Sequence, residues 1–214
     1  MKTILKAVVL ITCVAIVSGV LMSQDNGKAA KPKSEMAAQQ GSMPPPPKPD
    51  PQMTKLIKMM SGNWTVTEKV EPSPMMPKGG SGKGTAKLVA GPGNMSLMEA
   101  YHSTGTMGSF AGTGTFWWDP KAQLYRGVWC DSMTPGGCDA SGTTKWEGDN
   151  LVGMMESEMN GQKMMTKFTY SDFKPTSFVM SMASGPDANS LKPMMTITYT
   201  KAAPMAAKSE KPAQ

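Results

Sequence analysis

Near its C-terminal end the chain reads Met195-Thr196-Ile197-Thr198-Tyr199-Thr200-Lys201, in which larger side chains alternate with threonines. Successive side chains of a β-strand point to opposite faces of a sheet, so this period of two predicts a strand with one face in the core and one in water. Two upstream segments show the same period. Their inward positions are Phe178, Met180 and Met182 in one, and Met164, Thr166, Phe168 and Tyr170 in the other.

Similar short segments, separated by turns rich in glycine and proline, extend back to Gly62-Asn63-Trp64. The pattern predicts ten strands, near residues 63–70, 82–90, 94–102, 108–118, 122–131, 138–146, 150–158, 162–170, 176–183 and 194–201. No long helical pattern lies between them, which leaves no room for parallel crossovers. Because a meander that closes on itself has no free edges, we expect an all-β fold, an antiparallel up-and-down β-barrel of about ten strands.

The composition divides the 214 residues into four regions. We expect residues 1–22 to be a signal peptide or signal anchor, residues 23–48 a proline-rich disordered linker, residues 49–201 the barrel domain, and residues 202–214 a disordered tail. At the start of the barrel domain, apolar residues recur at helical spacing and predict a short N-terminal helix. They are Met53, Leu56, Ile57 and Met60.

The N-terminal region has the form of an export signal. A basic lead that includes Lys2 and Lys6 precedes an apolar stretch of 16 residues, from Ala7 to Met22. That length is short of the ~20 residues that span a bilayer comfortably, but no clean A-x-A cleavage site follows. We therefore expect a periplasmic or extracellular protein, and its membrane attachment depends on whether the signal stays uncleaved.

The formal net charge of +6 is concentrated outside the barrel domain. Residues 49–201 contain 14 basic and 13 acidic side chains, and Arg126 is the only arginine of the chain. A surface for phosphate needs clustered basic side chains, preferably arginine. Nucleic acid is accordingly not an expected partner.

Two cysteines follow the export signal, Cys130 and Cys138. Thiols tend to oxidise outside the cytoplasm, and the seven residues between these two are rich in turn formers. We expect a structural disulfide. A redox pair or a metal site would normally show the C-x-x-C spacing that is absent here.

Several motifs of the predicted barrel resemble a known family. They are Gly62-Asn63-Trp64 after the short helix, the segment Gly112-Thr113-Gly114-Thr115-Phe116-Trp117-Trp118-Asp119, Tyr125, and Trp129-Cys130-Asp131-Ser132. Together, over about residues 55–201, they resemble the bacterial domain-of-unknown-function family numbered 1579. The resemblance implies a lipocalin-like barrel in an exported protein, and it carries no established activity.

The G-x-W element is also similar to that of the calycin group, the lipocalins and fatty-acid-binding proteins. In that group the tryptophan packs under a cation from the last strand, usually an arginine. The similarity implies that Lys201, on the same inward face as Tyr199, lies over Trp64 as a cation–π partner.

Methionine is unusually frequent, with 23 residues, and three interpretations are open. Methionine fills irregular cores, which would give a structural envelope protein with a packed core. It also lines cavities, and a barrel of about ten strands is wide enough for a small apolar molecule. Finally, thioether sulfur binds soft metals such as Cu(I) and Ag(I).

Two of these interpretations assign particular residues. For the cavity, we predict ligand contacts from Met164, Phe168, Phe178, Met180, Met182, Met195 and Ile197. For a periplasmic soft-metal binder, Met180 and Met182 share a strand face and His102 is a further candidate ligand. Of the three, we expect an exported binding protein for a small apolar molecule.

Catalytic residues are not indicated. His102 is the only histidine, and Cys130 and Cys138 are expected to be bonded to each other. Ser-His-Asp and Cys-His catalysis therefore have no support in the sequence. We expect a protein without enzymatic activity and without a cofactor.

Overall fold

The computed structural model describes residues 45–203 except Met75 and Asn160. The signal peptide or anchor predicted for residues 1–22 lies outside the described residues. So do the linker up to residue 44 and the tail from residue 204.

In the described residues a short helix precedes ten strands. The helix α1 spans Pro51–Met60. The strands are β1 (Gly62–Val70), β2 (Gly80–Ala90), β3 (Ser96–Gly105), β4 (Gly108–Asp119), β5 (Leu124–Asp131), β6 (Cys138–Glu147), β7 (Asn150–Met159), β8 (Gln162–Lys174), β9 (Ser177–Gly185) and β10 (Lys192–Lys201). Each strand pairs antiparallel with the next, and β10 pairs with β1, which closes the barrel. The predicted fold class is thereby confirmed.

The barrel closes where the first strand meets the last. Trp64 lies opposite Lys201, and the register continues to Val70 opposite Met195. Trp64 is 1% exposed, and its indole nitrogen donates a hydrogen bond of 3.0 Å to the carbonyl of Met60 at the end of α1. This tryptophan therefore joins the helix to both closing strands.

Lys201 covers the outer side of the Trp64 ring. Its Nζ lies 4.5 Å from the ring centroid and donates a hydrogen bond of 2.9 Å to the carbonyl of Ser61. Gly62 has φ +153°, and a Cβ at this position would overlap the lysine ammonium. The glycine of the G-x-W element thus makes room for the cation.

Helix α1 closes one end of the barrel. Asp50 caps its N-terminus by accepting a hydrogen bond of 2.8 Å from the backbone N–H of Gln52. The carbonyl of Gln52 accepts a hydrogen bond of 2.8 Å from the hydroxyl of Tyr125, and that hydroxyl accepts one from Trp146 at 3.1 Å. The apolar stripe of the helix is buried through Met53, Leu56 and Met60.

Aromatic rings fill the barrel next to the helix. Phe178 packs edge-on against Trp64 with centroids 4.8 Å apart and stacks on Tyr199 at 4.2 Å. On its other side Phe173 stacks at 5.7 Å. Phe173 reaches this position because β8 runs to Lys174, past the predicted end at residue 170, through an irregularity between Ser171 and Lys174.

Cys130 and Cys138 form a disulfide across the β5–β6 pair. Asp131 organises the connecting loop: its carboxylate accepts hydrogen bonds from the backbone N–H groups of Met133 and Thr134, both at 2.7 Å. The loop is therefore held in place both covalently and by hydrogen bonds.

Among the described residues, no helix has the length and apolar character needed to cross a membrane.

We expect Lys201→Met to lower the free energy of unfolding by about 1 kcal/mol, since it removes the cation–π contact and the hydrogen bond to Ser61 while keeping the aliphatic stem. Urea denaturation followed by tryptophan fluorescence measures this change. Lys192→Met, at the exposed start of the same strand, is the matched control and should change it by less than about 0.5 kcal/mol. Equal effects of the two substitutions would contradict a role of Lys201 in closure.

Candidate functional site

The half of the barrel away from α1 contains a cavity of about 220 Å³. It extends from Tyr199 and Glu99, near mid-barrel, to the β3–β4 turn and the β5–β6 loop. For comparison, an apolar cavity of ~150 Å³ accepts a benzene ring. This cavity is therefore large enough for a small organic molecule.

Glycines on the inner faces of the strands leave room for the rings that line the cavity. The Trp129 ring lies against Gly112 and Gly114, and the Phe168 ring lies against Gly153. A Cβ at Gly112 or Gly153 would overlap these rings. The glycines thus decide how far the aromatic side chains extend into the barrel.

The structure brings together five of the seven predicted ligand contacts. Phe168, Met180, Met182, Met195 and Ile197 all line the cavity. Met164 does not line it, because it lies near the start of β8, opposite Ser157. Phe178 does not line it either, because it is 1% exposed within the aromatic cluster next to α1.

The residues predicted as soft-metal ligands do not lie together. His102 is exposed on the outer face of β3, beside Lys83, Thr85 and Ser132, whereas Met180 and Met182 line the cavity. Neighbouring residues of one strand alternate between faces, and His102 follows Tyr101, which points inward. Across the described part of the chain, no group of three or more His, Cys, Asp and Glu side chains is placed to hold a metal ion.

Glu99 is a polar residue in the wall of the cavity that sequence analysis missed. It is 4% exposed, and its Oε1 accepts a hydrogen bond of 3.2 Å from the hydroxyl of Tyr199. Burial raises the pKa of the Glu99 carboxyl from its usual 4.5 to about 7, and the Tyr199 hydrogen bond only partly opposes this. The carboxyl therefore changes its ionisation near neutral pH.

A second carboxylate, Glu68, lines the cavity nearer to its opening. The hydroxyl of Tyr101 donates a hydrogen bond of 2.5 Å to its Oε1. Burial raises the pKa of Tyr101 above its usual range, and the hydrogen bond to Glu68 adds to the effect. Burial likewise raises the pKa of Tyr170 and Tyr199, so all three phenols keep their protons.

The alternation of inward and outward residues in β3 could have identified Glu99 as an inward residue. Leu97 and Tyr101 are buried, and Glu99 lies between them on the same face. An acidic residue between two inward apolar positions is itself an inward position. In β1, the same rule places Glu68 on the face of Trp64 and Val66.

Methionines flank the opening of the cavity. Met107, in the β3–β4 turn, is 49% exposed, and Met133, in the β5–β6 loop, is 61% exposed. Both also line the cavity. A ligand that enters here would first meet flexible, polarisable side chains.

These features define a class: a closed ten-stranded antiparallel barrel with a helix at one end and a largely apolar cavity that contains a buried carboxyl. The chain belongs to the DUF1579 family, described as "Protein of unknown function (DUF1579)", whose profile matches residues 49–201. A comparison with curated protein sequences finds no significant match.

Two solved structures show a similar fold. Rv2717c from M. tuberculosis has a TM-score of 0.50 and 11% identity, over 73% of this chain and 100% of that one. The S-type phycobiliprotein lyase CPES from Guillardia theta has a TM-score of 0.52 and 7% identity, over 71% of this chain and 93% of that one. At such identities the likeness establishes the fold alone.

The raised pKa of Glu99 predicts how stability depends on pH. The folded carboxyl binds its proton more tightly than the unfolded one, so the Glu99 contribution to stability is lost as the pH rises from about 4.5 to about 7. Glu99→Gln has no such titration. The free energy of unfolding of Glu99→Gln minus that of the wild type should therefore increase by about 3 kcal/mol between pH 4 and pH 8.

Urea denaturation at each pH measures this difference, in which the titration of all other groups largely cancels. Glu158→Gln, at an exposed position of β7, removes the same formal charge and serves as the control. Its free energy of unfolding minus that of the wild type should not change with pH. Parallel profiles for Glu99→Gln and Glu158→Gln would contradict the assigned ionisation.

Proposed function

We propose that the protein is an exported, noncatalytic binding protein that holds a small, mainly apolar molecule inside the barrel. The observation that best supports this proposal is the cavity of about 220 Å³, with its methionine and aromatic lining. Burial of apolar ligand surface against such a lining supplies ~25 cal/mol per Å² before the losses of binding are counted. The same cavity argues against a purely structural protein with a fully packed core.

The rigidity of the surrounding barrel supports binding. The sheet has no free edge, the β5–β6 loop is tied by the Cys130–Cys138 disulfide, and the opposite end is closed by α1. A cavity that exists before the ligand arrives costs little conformational entropy on binding. Met107 and Met133 flank the opening through which a ligand would exchange.

Export is supported by the basic and apolar N-terminal sequence together with this disulfide. A noncatalytic role is supported by the placement of reactive groups. The one histidine of the chain, His102, is on the outer face, and Cys130 and Cys138 are bonded to each other.

A pair of adjacent methionines provides the test of cavity binding. Met195 lines the cavity, whereas Met194 is 36% exposed on the outside. We expect Met195→Trp to fill the cavity and to weaken binding of the neutral probe 1-naphthalenemethanol at least tenfold, about 1.4 kcal/mol. Isothermal titration calorimetry of the full-length chain measures the affinity.

Met194→Trp adds the same bulk outside and should leave the affinity within about twofold of wild type, 0.4 kcal/mol. Absence of probe binding by the wild type would overturn the proposal, as would an unchanged affinity of Met195→Trp. Native mass spectrometry of the protein isolated from fractionated host cells complements this test. It should show a retained small molecule in material from outside the cytoplasm.

Soft-metal binding remains the second candidate, because Met182 pairs directly with Met195 across β9 and β10 and Met180 lies two residues along the same face. This function requires that Cu(I), titrated under reducing conditions, binds the wild type at least tenfold more tightly than Met180→Leu/Met182→Leu. Equal affinities would remove the candidate. Leucine keeps the volume of the side chain, so the cavity itself is preserved.

A further inference from the structure

Apart from the Trp129 indole, the polar side chains of the cavity wall are carboxyls and hydroxyls, all of which can accept hydrogen bonds. They include the carboxyls of Glu68 and Glu99 and the hydroxyl oxygens of Tyr101, Tyr170 and Tyr199. Two of the three phenol protons are already donated to the carboxyls. Among the described residues that line the cavity there is no lysine, arginine or histidine.

Glu99 is the buried carboxyl of this wall, and its side chain makes a single hydrogen bond to the described residues. Its Oε1 accepts from Tyr199, but its Oε2 has no hydrogen-bond partner among the described residues. The side chain is 4% exposed to solvent and faces the cavity. A buried carboxylate is unfavourable unless it is paired with a cation, and a neutral phenol supplies only one hydrogen bond.

We propose that the natural ligand is a small apolar molecule with a protonated amino group, and that this group binds Glu99 inside the barrel. The inference rests on the proposed binding function and names its ligand class. An ammonium has three donors and no acceptor, which matches a wall rich in acceptors. In this proposal one N–H bonds to Glu99 Oε2, and phenol oxygens of the same wall, such as that of Tyr170, are available as acceptors for the others.

The apolar part of such a ligand lies toward the opening, among Met180, Met182 and Phe168. Aromatic faces in the wall add to the attraction for the cation. An anion in the same place would meet two carboxyls with no compensating positive side chain. The site therefore discriminates against fatty acids and other carboxylates by charge, and not by size alone.

Binding of the ammonium is coupled to ionisation of Glu99, which releases its proton to solvent when the ion pair forms. The titratable groups that interact with Glu99 are Tyr199 from β10, Tyr170 from β8 and Tyr101 from β3, and Glu68 from β1 accepts the hydrogen bond of Tyr101. The three phenols stay neutral throughout the physiological range, because burial raises the pKa of each. The affinity for an amine consequently increases as the pH rises through neutrality, until the amine itself loses its proton.

Three probes of nearly equal shape separate charge from size: 1-naphthylmethylamine, 1-naphthalenemethanol and 1-naphthoic acid. We expect the full-length chain at pH 8 to bind the amine at least tenfold more tightly than the alcohol. It should bind the acid at least tenfold more weakly than the alcohol. Calorimetry should also show the amine affinity increasing at least fivefold from pH 6 to pH 8, with the alcohol affinity unchanged.

Glu99→Gln keeps the size of the side chain and removes its charge. It should lower the amine affinity at least tenfold and leave the alcohol affinity within threefold, a result that a misfolded barrel cannot give. Glu158→Gln, which removes an exposed charge, should leave both affinities unchanged.

The outcomes separate the two proposals. If the alcohol binds but the amine binds no more tightly than the alcohol, or Glu99→Gln leaves amine binding intact, the ligand class is wrong and the binding function stands. Preference for the acid also overturns the ligand class. If none of the three probes binds, the cavity-binding function fails and the ligand class fails with it.

Discussion

The pairing of β10 with β1 is the constraint on which the rest of the structure depends. It converts a ten-stranded meander into a closed surface, so that alternate side chains of every strand face a common interior. Trp64 is buried at this seam, held by the end of α1 on one side and covered by Lys201 on the other. Without closure there would be two sheet edges and no enclosed cavity.

The interior has two parts with different packing. Next to α1, Phe178 is stacked against Tyr199 and packed edge-on against Trp64, and it does not line the cavity. Farther from the helix, glycines such as Gly112 and Gly153 receive the rings of Trp129 and Phe168, which lie back against the wall. Large rings in one half and glycines in the other thus leave the cavity at the end away from the helix.

In the proposed function, Glu99 would link stability to binding. Its ionised form is unfavourable in the empty barrel, because the carboxyl is buried and receives a hydrogen bond only from a neutral phenol. A cation bound in the cavity offsets that penalty, and a ligand that binds only the folded chain stabilises it. The barrel would then be more stable when loaded than when empty, by an amount that grows with pH.

The period of two and the turn residues between strands indicated the number of strands and the inward faces of β8, β9 and β10, because these are local properties of the chain. Closure was inferred from a further argument, that a meander has two free edges unless its first and last strands pair. The sequence also placed Phe168, Met180, Met182, Met195 and Ile197 on the inner surface. It did not separate them from Met164 and Phe178, which have the same alternation but lie outside the cavity lining. Only the tertiary structure decided that separation, together with the meeting of Glu99 and Tyr199, which are 100 residues apart. The physical reason is that strand period specifies which face a side chain occupies, whereas its depth and its partners depend on how distant strands pack around the enclosed space.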